Sequence, residues 1–119
     1  MEKHYTVGQI GEAIADVRRV KEELDEQIVG INRLLWRIQE EGEHAGSLSA
    51  VRPYSEIEAD EEAARKLLRG LRAKRSRCES RLAELEDARR EMQLALARAK
   101  REALIERDAR KARKARVSG

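Results

Sequence analysis

The sequence predicts an all-α chain, an antiparallel two-helix coiled-coil hairpin with an overhanging basic C-terminal helix. Three observations predict it. Aliphatic side chains recur at alternating steps of three and four in two long runs, and one proline-containing break separates those runs. Charged residues make up 41% of the chain and aromatics 3%, with no Phe, so a globular core of bulky rings is excluded. High charge alone fits disorder, but disordered chains have no reason to space their aliphatic residues regularly. Ala, Glu, Lys, Leu and Arg dominate, as expected of long helices with solvated outer faces.

The first helix is expected over residues 7–43. Thr6-Val7-Gly8-Gln9 fits a capping box, in which hydroxyl and amide satisfy backbone N–H groups that a helix start leaves unpaired. Tyr5 and Ile10 flank it at the spacing of a hydrophobic staple. Val7, Ile10, Ile14, Val17, Leu24, Ile28, Ile31, Leu35 and Ile38 then form an a/d seam, with Lys21 filling one slot. Gly42 and Gly46 supply stop signals. Residues 44–54 contain the only proline and break the periodicity, so they form the loop.

The second helix is expected over residues 56–115, opened by a second capping box at Ser55-Glu56-Ile57-Glu58. Its seam runs through Ile57, Glu61, Ala64, Leu68, Leu71, Arg75, Cys78, Leu82, Leu85, Arg89, Met92, Leu96, Ala99 and Ala103. A loop of about ten residues favours antiparallel neighbours. If residue 43 lies near 56, both seams come into register together: Ile38 faces Glu61, Leu35 faces Ala64, Ile31 faces Leu68, Ile28 faces Leu71, and Ile14 faces Leu85. Val7 then falls opposite Met92, and everything beyond overhangs.

Charge divides the chain near the same place. Residues 1–97 carry 17 basic and 20 acidic side chains, and residues 98–119 carry 9 and 3. Two regions are therefore expected, a hairpin body over 1–97 and a basic extension over 98–119. Lys21, Arg75 and Cys78 make the middle of the seam polar. An unpaired buried charge costs several kcal/mol, so Lys21 and Arg75 are expected to snorkel to the edge or meet carboxylates, with Asp25, Glu22 and Glu79 nearest. They could also fix register or oligomeric state.

A two-helix hairpin buries one narrow stripe per helix, and helical stability comes mainly from packing. Val20 and Leu34 widen that stripe. Val29 and Trp36 do not: seven residues apart, they point away from the second helix. They are the candidate protein-binding residues, for a second copy of the chain or another protein, and self-association into a four-helix arrangement or larger is the preferred expectation.

Little else points to chemistry. His4, His44 and Cys78 are the only strong nitrogen or sulfur ligands; in a hairpin they cannot converge, and no zinc spacing exists. There is no Gly-rich phosphate loop. Arg37 and His44, with six residues between them, resemble the Arg-to-His spacing of some helical-bundle ribonucleases, with Ile38 where a polar residue often follows. A histidine at a helix end is the simpler explanation. No catalytic residue, metal or cofactor is expected. The lone cysteine excludes an internal disulfide and fits a reducing, cytoplasmic setting. No apolar run approaches the roughly 20 residues needed to span a bilayer.

The basic extension carries the one electrostatic message. Arg107, Arg110, Lys111, Arg113, Lys114 and Arg116 suit phosphate backbones, through counterion release, or an acidic protein surface. They could equally serve only to solubilise a helix end. No aromatics are interleaved, so base stacking is not expected. In outline the chain resembles small coiled-coil hairpins of the prefoldin sort, in shape alone. The expected role is a non-enzymatic structural or adaptor component of a larger assembly, such as a virion or tail, scaffolding or chaperone-like protein. The alternative is a nucleic-acid- or ribosome-associated protein that binds through its basic extension.

Overall fold

The computed structural model describes residues 6–44 and 52–117. Two helices account for nearly all of them: α1 over Val7–Glu43 and α2 over Tyr54–Val117. They pack against each other as an all-α helical hairpin, and no strand occurs among the described residues.

The start of α1 forms as the sequence predicts. The Thr6 backbone N–H donates to Gln9 Oε1 at 2.9 Å, and the Gln9 N–H donates to Thr6 Oγ1 at 3.1 Å. Two N–H groups that a helix start would leave unmatched are thereby satisfied. Tyr5 of the proposed staple lies outside the described residues, as does Gly46.

Helix α1 ends at Glu43, as expected, and the two boundaries of α2 each differ from expectation by two residues. Helix α2 begins at Tyr54, and the Pro53 carbonyl accepts from the backbone N–H groups of Glu56 and Ile57 at 3.1 and 3.3 Å. Ser55 therefore lies inside the first turn, and the capping box placed there is not the cap. The α2 helix also runs to Val117, two residues past the expected end. The end of α1 at Glu43 falls one residue past Gly42, where the stop signal places it. A Cβ built on Gly42 would lie 3.6 Å from Ile57 Cγ2, an ordinary packing distance, so this end of α1 touches the start of α2.

By its internal contacts the chain divides into two units, Ala15–Leu82 and Met1–Ile14 with Ala83–Gly119. Within the first, Ile38, Ile57 and Ala64 form a buried cluster, with Ile31 and Leu35 packed against it. Leu24, Ile28 and Leu68 are also buried. These are the seam positions of the expected register. Polar contacts between the helices keep the same pairing, Gln39 with Glu61, Asp25 with Arg75 and Lys21 with Glu79.

The two cations at the middle of the seam, Lys21 and Arg75, sit at its edge, as expected of side chains that must keep hydration. Arg75 reaches Asp25 at 3.5 Å and Glu79 at 3.8 Å, and Lys21 lies 3.9 Å from Glu79. Asp25 and Glu79 were among the expected partners. All four side chains remain a third to a half exposed, so each pair contributes at most about 1 kcal/mol.

In the second unit Ile10, Ile14 and Leu85 are buried, Ile14 almost completely. Arg89 and Met92 are half-buried. Met92 is the last α2 residue with any cover: every described residue from 93 to 117 is exposed. The seam pattern continues into this stretch, yet Leu96 is 52% exposed.

No helix among the described residues is long and apolar enough to cross a membrane.

Candidate binding surfaces

The residues singled out on α1 occupy one surface recess. Trp36 is 61% exposed and Val29 is 48% exposed. With Asn32, Arg33 and Arg37 they line an open recess of about 590 Å³. The helical repeat explains the grouping, since residues three, four and seven apart stack on one face. The indole does not fold back into cover.

Arg33 and Arg37 form no ion pair or hydrogen bond among the described residues. A Trp face beside two guanidinium groups with no acidic partner among the described residues offers apolar area and positive charge together. Trp and Arg are the side chains most often found at the energetic centre of protein interfaces.

The six cations of the C-terminal stretch are all exposed and all helical. Arg107, Arg110, Lys111 and Lys114 are spaced i, i+3, i+4, i+7 and share a face, while Ala109 and Ala112 lie away from it. Arg113 flanks that face, and Arg116 lies on the alanine side. Arg110 Nη2 donates to Glu106 Oε1 at 2.8 Å, and Lys114 also makes an interaction of its own, so at least two of these charges are not free. The structure thus brings four of the six cations to one side of a helix.

A second basic region escaped the sequence reading. Between Glu62 and Glu79 lie Arg65, Lys66, Arg69, Arg72, Lys74, Arg75 and Arg77, with no carboxylate among the residues between. Summing charge over the whole body hid these seven cations behind the acids of α1 and those that flank them on α2. Arg65 is paired with Glu61 at 2.7 Å and Arg75 with Asp25, but Lys66, Arg69, Arg72, Lys74 and Arg77 have no ion pair among the described residues. Lys66 and Lys74 border a recess of about 570 Å³ lined also by Ala63, Leu67, Gly70 and Leu71. Leu67 is 58% exposed and lines an adjoining recess with Leu34, itself 42% exposed.

A third feature joins the helices where the chain turns. The Arg52 guanidinium donates to both carboxylate oxygens of Glu41, at 2.8 and 3.1 Å, and to Asp60 at 2.6 Å. The hydrogen bonds from Arg52 hold the Glu41 carboxyl below its ordinary range. Glu61 is lowered likewise, first by Arg65 and then by Gln39. Both acids serve the hairpin's own geometry.

Among the described residues no group of three or more His, Cys, Asp or Glu side chains could hold a metal ion. Cys78 is a half-buried free thiol on the α2 seam. Comparison with protein-family models, with curated proteins and with solved structures finds no match.

Proposed function

We propose that the chain is a non-enzymatic coiled-coil adaptor, a component of a larger assembly that docks a protein through Val29 and Trp36. The observation that carries this reading is the exposure of Trp36 in a recess beside two guanidinium groups, Arg33 and Arg37. Leaving the chain's one Trp in water forgoes the burial that a large indole normally contributes. A partner that covers it recovers that burial. The cytoplasmic setting belongs to the same reading and rests on the single free cysteine.

Trp36 is also the only indole, so its fluorescence reports this surface alone. Emission of the isolated chain should be that of a solvated indole and should shift to the blue when an assembly partner binds. Trp36→Ala should lose the partner while keeping its circular dichroism. If the proteins co-purifying with the variant match those of the wild type, this surface is not the dock.

A second reading, binding to nucleic acid, is favoured by the helical grouping of Arg107, Arg110, Lys111 and Lys114. A basic helix face binds phosphate backbones with steep salt dependence and without reading sequence. Titration of a generic duplex at increasing salt tests it: binding must weaken steeply with salt and vanish when residues 107–119 are removed.

A further inference from the structure

Helix α2 carries a second stripe beside the seam that α1 covers. The residues immediately preceding the seam positions are Glu56, Asp60, Ala63, Leu67, Gly70, Lys74, Arg77 and Arg81, spaced at alternating steps of four and three. That is the spacing of a helix-pairing face, turned about 100° from the first seam. All eight are exposed.

The order of residue types along the stripe is acid, acid, small, large apolar, none, base, base, base. Two acids lie at the N-terminal end and three bases at the C-terminal end, with Leu67 and Gly70 at the centre. Such an order is complementary to itself when reversed. We propose that this stripe is the interface with a second copy of the same chain, α2 packing against α2 antiparallel around a two-fold axis at the level of Leu68 and Arg69.

In the register that pairs a with d positions, Glu56 meets Arg81 of the second copy and Asp60 meets Arg77 of the second copy. Ala63 meets the stem of Lys74, and Leu67 projects over Gly70. Symmetry repeats each pairing, as an isologous contact requires. A parallel arrangement would set acid on acid and base on base.

Local geometry supplies the complementary shapes. A Cβ built on Gly70 would meet nothing within 4 Å, so the glycine leaves a notch on the surface. Leu67, 58% exposed, is the knob that a notch on the other copy accepts. Leu34 of α1 lines the recess beside Ala63 and Leu67 and extends the apolar area. Arg77 has no ion pair among the described residues. Asp60 keeps a half-exposed carboxylate although Arg52 already holds one of its oxygens. None of the eight stripe residues lines the Val29–Trp36 recess, although Arg37 borders both that recess and the one beside Leu67.

The full-length chain is tested by light-scattering mass across a concentration series, with helicity followed by circular dichroism. A concentration-dependent rise to twice the chain mass is expected. Leu67→Glu should remain monomeric with unchanged helicity, because Leu67 lies outside the covered seam. Arg77→Glu should weaken dimerisation about tenfold or more, since it sets like charges together. Adding Asp60→Arg to that variant should restore it to within a few-fold of wild type. Gly70→Leu should raise helical stability in dilute solution yet weaken association by filling the notch. Trp36→Ala should leave the dimer intact. A chain monomeric at every concentration overturns the proposal. So does a dimer that survives Leu67→Glu, one that Trp36→Ala abolishes, or a double variant with no recovery.

Discussion

Arg52 grips Glu41 through two parallel hydrogen bonds, Nε to Oε1 at 2.8 Å and Nη2 to Oε2 at 3.1 Å, and turns its remaining nitrogen to Asp60. The last turn of α1 is thereby tied to the second turn of α2 by a side chain from between them. Bidentate guanidinium–carboxylate geometry gives direction as well as attraction. The tie depends on Glu41 being ionised, and its carboxyl is held below the ordinary 4.5 by Arg52. A lowered folded value means that the stabilisation is complete above the unfolded value and is lost as pH falls through the folded one. Thermal midpoints should therefore drop on acidification from neutral pH to about pH 3, and Arg52→Ala should lessen that drop. An unaltered acid response in the variant would show that other carboxylates govern it.

The buried cluster of Ile38, Ile57 and Ala64 supplies a second expectation. Ile38→Ala deletes buried methyl groups and leaves a void, at a cost of about 2–5 kcal/mol. A stripe this narrow has little reserve, so urea denaturation followed at the helical band should show a large loss of midpoint. Ile31→Asp should be worse, because it sets a carboxylate against the same cluster.

Gly30 offers the opposite sign. It lies inside α1, and a Cβ there meets nothing within 4 Å. Gly30→Ala should stabilise by about 0.5–1 kcal/mol, by restricting the unfolded chain without any clash. The same denaturation measurement reads it.

A chain ending at Glu106 should unfold at the same temperature as the full chain in the hairpin transition. Every described residue it would lose is exposed, so no covered apolar area goes with them. Its affinity for a generic duplex should fall, and the slope of log affinity against log salt should flatten by about 0.9 for each phosphate contact removed.

The hairpin was legible because its signal is redundant. Ile14, Ile28, Ile38, Ala64, Leu68 and Leu85 are buried where a single register places them, and that register follows from loop length and two apolar periods. The start of α1 was legible because Thr6 and Gln9 form a local, self-contained motif. The start of α2 was read two residues late, since the Pro53 carbonyl, and no side-chain motif, sets it. The Arg52 tie could not be read at all: it joins residues 8 and 11 apart across a segment without periodicity. The stripe through Leu67 was hidden for another reason. Only one of its eight positions is a large apolar residue, so hydrophobic periodicity passes over it, and its meaning lies in the order of charges.

Beyond Met92 every described residue of α2 is exposed, and local pairs such as Glu106 with Arg110 support the helix from within. Amide protons there should exchange with solvent far faster than those around Ile38, and trypsin should shorten the chain from this end first. This cationic stretch is thus also the part of α2 that can unwind and rewind at least cost. It is free to take the shape of whatever surface it meets, while the folded hairpin stays as it is.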